Sequence, residues 1–134
     1  MFNAPKKKIL IADDDPGMRL ALLIRLRANN FEVACAGDGL SVIAETRKSN
    51  PDLIILDLGM PSGDGYTVLN MLQSDREQSG IPVIVLSGRD RASNRDKAIS
   101  AGALMFLQKP VDTTHLLAAV NHALHVTGSA PSAA

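Results

Sequence analysis

Three short apolar runs, Ile9–Ala12, Leu53–Leu56 and Val83–Leu86, punctuate the chain, and none alternates with polar residues. A strand with one wet face alternates. A strand that is apolar throughout is covered on both faces, as in a parallel sheet between helices. The runs are far shorter than the roughly 20 residues a membrane-spanning helix needs. Phe31–Ala36 and Leu104–Gln108 are weaker strand candidates.

Helical spacing fills the gaps. Met18, Leu22, Leu23 and Leu26 recur at intervals of three and four, with Arg19, Arg25 and Arg27 elsewhere on that helix. Asp15-Pro16 supplies a cap and a first-turn proline. A second helix is expected from about Leu40 to Lys48, stopped by Asn50-Pro51. A third carries Tyr66, Val68, Leu69, Met71 and Leu72 and dissolves into the polar stretch Gln73 to Gly80. A fourth, polar one spans about Arg91 to Ala101 and ends at Gly102, and a fifth runs from about Thr113 to Val126. Strands alternating with helices in this way give an α/β fold, a doubly wound five-stranded parallel sheet with five helices. One domain is expected over 1–127, with 128–134 a flexible tail or linker stub.

Composition narrows the function. Aromatics are only 3% of the chain, so the core must come from aliphatic residues. Lys+Arg and Asp+Glu both number 14, which leaves no basic excess for nucleic acid. The cluster Arg89, Arg91, Arg95 and Lys97 is interrupted by Asp90 and Asp96 and reads as a solvated mixed-charge helix face. Cys35 is alone, so no internal disulfide forms, consistent with a reducing compartment. Lys6, Lys7 and Lys8 precede no long apolar segment, so they are no signal peptide, and a cytoplasmic location is expected.

Open parallel sheets bind ligands beyond the carboxyl ends of their strands. There the first strand ends in Asp13 and Asp14, the third in Asp57, the fourth in Ser87 and the fifth in Lys109. Crowded carboxylates resist joint ionisation and take up protons or a divalent cation, and hard oxygen donors at an open site suit Mg²⁺. With the charge offset, Asp57 can attack phosphorus to form an acyl phosphate. Lys109 offers a compact positive charge to the transferred group, and Ser87 a hydroxyl. By itself Lys109 reads as a surface lysine; its place after an apolar strand and before Pro110 sets it apart.

The runs Ile9-Leu10-Ile11-Ala12-Asp13-Asp14-Asp15-Pro16, Leu56-Asp57-Leu58-Gly59-Met60-Pro61 with Gly63-Asp64-Gly65, Val85-Leu86-Ser87-Gly88, and Gly102-Ala103 through Phe106 to Lys109-Pro110 together resemble the receiver domain of response regulators in two-component signal transduction. The resemblance covers the chain from about Lys8 to Val126. It implies a flavodoxin-like strand order, 2-1-3-4-5, and a chemotaxis-regulator-like phosphorylation switch rather than an enzyme. It implies that Asp57 accepts a phosphoryl group from a sensor histidine kinase or phosphotransfer protein. Asp14, Asp57 and the Gly59 carbonyl would hold Mg²⁺, with Asp13 acting through water. Lys109 and Ser87 would hold the phosphoryl oxygens, and the Lys109-Pro110 bond would be cis. Ser87, Phe106 and Pro110 fall at switch positions. Phe106 would fill the space that Ser87 vacates, altering the surface of fourth helix, fifth strand and fifth helix. That surface would bind a downstream protein or output domain, or a second copy in a dimer. The chain is expected to be either stand-alone or part of a larger regulator.

Some positions depart from the family pattern. Gly59, two after Asp57, has no side chain to orient water, while Arg89, two after Ser87, is long enough to reach over the site. Gly88 replaces the commoner alanine, and Asp15 stands where glutamate is more frequent and reads as a cap. Gly37-Asp38-Gly39 lacks the third glycine of a dinucleotide loop and reads as a turn. His115, His122 and His125 read as exposed helix residues, Cys35 as a small buried side chain, and Tyr66 as packing. The chief rival is a haloacid-dehalogenase-like phosphatase using Asp13, which leaves Asp57 without a role. A flavodoxin-like electron carrier is excluded by aspartates where a phosphate would sit. A pseudo-receiver that never accepts phosphate is the remaining alternative.

Overall fold

The computed structural model describes residues 5–61 and 64–128. Ten elements alternate without interruption: β1 (Lys8–Ala12), α1 (Pro16–Ala28), β2 (Glu32–Ala36), α2 (Gly39–Ser49), β3 (Leu53–Leu56), α3 (Gly65–Ser74), β4 (Val83–Ser87), α4 (Arg91–Ser100), β5 (Met105–Gln108) and α5 (Thr113–Gly128). All strand pairs are parallel, and the sheet order is β2-β1-β3-β4-β5. This is the doubly wound, flavodoxin-like sheet expected from the sequence. Gly128 closes α5, and the rest of the expected tail, 129–134, lies outside the described residues, as does Gly63.

The absence of alternation in the strands has a direct cause. Along β1, Leu10 and Ala12 enter one apolar cluster while Ile9 and Ile11 enter another on the opposite face. The first cluster adds Val42 of α2, Leu69 and Leu72 of α3, and Ala98 of α4. The second adds Leu22 and Leu26 of α1 with Leu116 and Val120 of α5. Each residue of these central apolar runs removes apolar surface on its own side, so those positions must be hydrophobic on both faces. Among the described residues no helix is long and apolar enough to cross a membrane.

Local chemistry sets the helix ends. Asp15 accepts the Gly17 N–H at 2.9 Å, and Pro16 takes the first helical position of α1. Asp38 and Asp90 cap α2 and α4 by accepting from the N–H groups of Ser41 and Ser93. Asn50 stops α2 with φ 48°, its N–H bonded to the Thr46 carbonyl at 2.9 Å. The third helix reaches Ser74 before giving way to turns, two residues into the stretch where it was expected to dissolve.

Candidate functional site

The β1 and β3 ends are adjacent in the sheet, with Ala12 paired to Leu56, so the residues that follow each strand meet. The Asp57 N–H donates to the Ala12 carbonyl at 2.8 Å, and the Asp13 N–H to the Ala36 carbonyl at 3.1 Å. Carboxylate oxygens of Asp13, Asp14 and Asp57 thereby lie within 4.8 Å of one another. Asp13 and Asp57 are buried and Asp14 is exposed.

Lys109 reaches this group from the far edge of the sheet. Its Nζ donates to Asp13 Oδ2 at 2.8 Å and lies 3.9 Å from Asp57 Oδ1. The other Asp13 oxygen accepts the Asp15 N–H at 3.0 Å, so both of its oxygens are engaged. The Asp14 side chain has no hydrogen bond or ion pair among the described residues, which leaves its oxygens free to ligate. One lysine cannot offset three clustered carboxylates, and their hard oxygen atoms match what Mg²⁺ requires. The donor set fits a divalent cation.

Burial is the largest influence on Asp57 and raises its pKa above the usual carboxylate range. Lys109 pulls it down, Asp13 and Asp14 push it up, and the Gly59 backbone N–H pulls it down. A cation held beside Asp57 would oppose this upward push and favour the nucleophilic carboxylate form.

Ser87 ends β4, buried, with its backbone carbonyl accepting the Lys109 N–H at 2.8 Å. Its Oγ accepts the Arg89 N–H at 3.1 Å. The Lys109-Pro110 peptide is cis, as expected. Phe106 pairs in register with Val85 and is already buried in the cluster that contains Ala98 of α4. Gly59 lies beside Asp57: a Cβ placed there would stand 3.9 Å from Oδ2.

Several side chains sit elsewhere than the sequence suggested. Arg89 is engaged by Asp64: its Nη2 pairs with Oδ1 of that residue, which opens α3, at 3.3 Å. Arg19, read from the sequence only as lying off the apolar stripe of α1, reaches back so that Nη1 donates to the Asp13 carbonyl at 2.7 Å. Periodicity gives no hint of this contact, since it depends on the loop between β1 and α1 closing on itself. Tyr66 packs as expected but also donates its hydroxyl to Asn94 Oδ1 at 2.6 Å and carries Lys97 Nζ 4.4 Å above its ring. Cys35 is half-buried in β2; Arg19 and Arg27 do lower its pKa, but burial outweighs them and the thiol is pushed up. His122 and His125 are exposed, and His115 pairs with Asp112.

The family model for the response regulator receiver domain matches residues 9–121. The DNA-binding dual master transcriptional regulator RpaA of Synechocystis sp. is 36% identical over 127 residues, covering 95% of this chain and 53% of that protein. Response regulator PleD of Caulobacter vibrioides is 36% identical over 113 residues, 84% of this chain and 25% of its own length. The chain thus spans about half of the first relative and a quarter of the second. Among solved structures, chemotaxis response regulator CheY4 of Vibrio cholerae superposes with a TM-score of 0.84 at 25% identity, covering 90% of this chain and 100% of that one. A CheY-like receiver domain protein from Methanospirillum hungatei gives a TM-score of 0.87 at 25% identity, covering 93% and 98%.

Proposed function

The chain belongs to the response regulator receiver domain family, and from that premise we propose that it is a phosphorylation-dependent signalling switch whose acceptor is Asp57. The observation that carries this reading is the meeting of Asp13, Asp14 and Asp57 within 4.8 Å, with the Lys109 amine against them. The donor is the phosphohistidine of a sensor kinase or phosphotransfer protein. An Asp57 oxygen forms the new O–P bond as the P–N bond to the histidine breaks, and the imidazole nitrogen keeps the electron pair and takes a proton.

Each residue has a part that follows from its position. The carboxylates of Asp14 and Asp57 and the Gly59 carbonyl would hold Mg²⁺, with Asp13 acting through water, and the ion would supply positive charge to offset the incoming phosphoryl group. A water bridge suits Asp13, because Lys109 and the Asp15 N–H already occupy its oxygens. Lys109 is 3.9 Å from Asp57 and transfers its attention to a phosphoryl oxygen once one arrives. Ser87 releases the Arg89 N–H and donates its hydroxyl to another.

The readout surface is formed by α4, β5 and α5, where a downstream protein, an output domain or a second copy docks. Phe106 is already packed beneath α4, so its switching is a repacking within a filled space rather than an entry from solvent. Asp13 is a poor candidate for the nucleophile of a phosphatase, given its two engaged oxygens.

The reading is tested by incubating the protein with acetyl phosphate and Mg²⁺ and following intact mass. A gain of one phosphoryl group, absent in Asp57→Ala and without Mg²⁺, supports it. Continuous phosphate release that survives Asp57→Ala and stops in Asp13→Asn would favour the phosphatase instead. No gain at all would leave the pseudo-receiver.

A further inference from the structure

Asp14 is the one carboxylate of the cluster that no side chain holds, so its direction depends on the backbone to either side. On one side, the Asp15 N–H is tied to Asp13 Oδ1 at 3.0 Å, and Asp15 itself caps α1. On the other, the Asp13 carbonyl, which belongs to the same peptide unit as the Asp14 N–H, accepts from Arg19 Nη1 at 2.7 Å. The guanidinium comes from the first turns of α1 and reaches the carbonyl by passing Gly37 at the end of β2. A Cβ at Gly37 would stand 3.1 Å from Nη1 and 3.7 Å from Cζ.

We propose that Arg19 is a positioning residue for the cation, fixing the Asp13–Asp14 peptide so that Asp14 points into the site, and that Gly37 keeps its channel open. This rests on the reading of the acidic cluster as a Mg²⁺ site. Arg19 bonds a carbonyl and not a carboxylate, so unlike Lys109 it leaves every anionic oxygen to the cation. Polar groups that orient metal ligands commonly change affinity by about 10- to 100-fold when removed.

The sign of the effect separates positioning from bulk electrostatics. Deleting a positive charge beside an acidic cluster would tighten Mg²⁺ binding if charge alone mattered. Deleting a positioning group weakens it. Mg²⁺ affinity is measured by isothermal titration calorimetry on the unphosphorylated protein, with Mg²⁺-free melting temperature recorded beside it. Arg19→Met should weaken Mg²⁺ about tenfold. Arg19→Lys, with charge and one donor retained, should recover part of that loss. Arg27→Met, on the exposed last turn of the same helix, should match the parent protein. Gly37→Ala deletes no polar group and crowds only the guanidinium, so it should weaken Mg²⁺ by an intermediate factor even if Arg19→Met fails to fold. Unchanged or tighter binding in Arg19→Met or Gly37→Ala, with the parent still accepting phosphate at Asp57, overturns this inference and leaves the proposed function standing. A parent protein that binds no Mg²⁺ overturns both.

Discussion

Lys109 and Asp13, separated by 96 positions in the chain, meet at 2.8 Å across the carboxyl edge of the sheet. That pair joins β5, at one edge of the sheet, to β1, beyond β4 and β3. Its side chains are 20% and 4% exposed, so it is partly shielded from water. Without Lys109, the three clustered carboxylates would lack the only cation paired with their oxygens among the described residues.

Lys109→Met should therefore destabilise the Mg²⁺-free protein by about 2 kcal/mol, below the range for a fully buried pair because the amine retains some solvent contact. Added Mg²⁺ should restore much of this in chemical denaturation, since the cation replaces the missing charge. A loss that Mg²⁺ does not relieve would mean that Lys109 acts through packing of its stem.

Asp57 supplies a pH-dependent prediction. Burial raises its folded pKa above the unfolded value, so the folded state binds a proton that the unfolded chain releases. Its contribution to stability is thus most favourable below the unfolded pKa and is lost as pH rises through the folded one. Asp57→Asn should consequently stabilise the Mg²⁺-free protein at neutral pH, seen as a higher Tm. The advantage should vanish as pH falls below the normal carboxylate range. Equal melting temperatures at neutral pH would contradict it.

Much of this architecture is legible in the sequence because the strands are short and apolar on both sides, and because Asp15-Pro16 and Asn50-Pro51 mark helix limits. The convergence of Asp13, Asp14, Asp57 and Lys109 follows from the same reading, since a parallel sheet brings all its strand ends to one edge. The partners of Arg19, Arg89 and Tyr66 do not follow. Long side chains choose partners after the elements have packed, and Asp64, which pairs with Arg89, comes from another crossover. The tight seat of Gly65 is equally silent in sequence, since it depends on where Leu58 lies.

That seat is testable. A Cβ on Gly65 would stand 2.5 Å from the backbone Cα of Leu58 and 3.0 Å from its carbonyl oxygen, which accepts the Gly65 N–H at 2.9 Å. Gly65→Ala must push apart the Asp57 loop and the start of α3, costing about 2–3 kcal/mol. Urea denaturation should show this loss; a neutral result would mean that the loop yields freely.

Tyr66 ties α3 to α4, a helix whose only fully buried residue is Ala98. Tyr66→Phe removes the hydrogen bond to Asn94 while keeping the ring beneath Lys97. The change should cost about 1 kcal/mol and speed amide exchange in α4 relative to α1. Uniform exchange changes in both helices would argue against a local tie.

The central claim is that Asp57, and no neighbouring carboxylate, receives the phosphoryl group. Borohydride reduction of the acyl phosphate marks the acceptor as homoserine, which peptide mass spectrometry locates directly. After treatment with acetyl phosphate and Mg²⁺, the mark should appear at position 57 alone. A mark at Asp13 or Asp14, or an intact Asp57 under these conditions, would contradict the account.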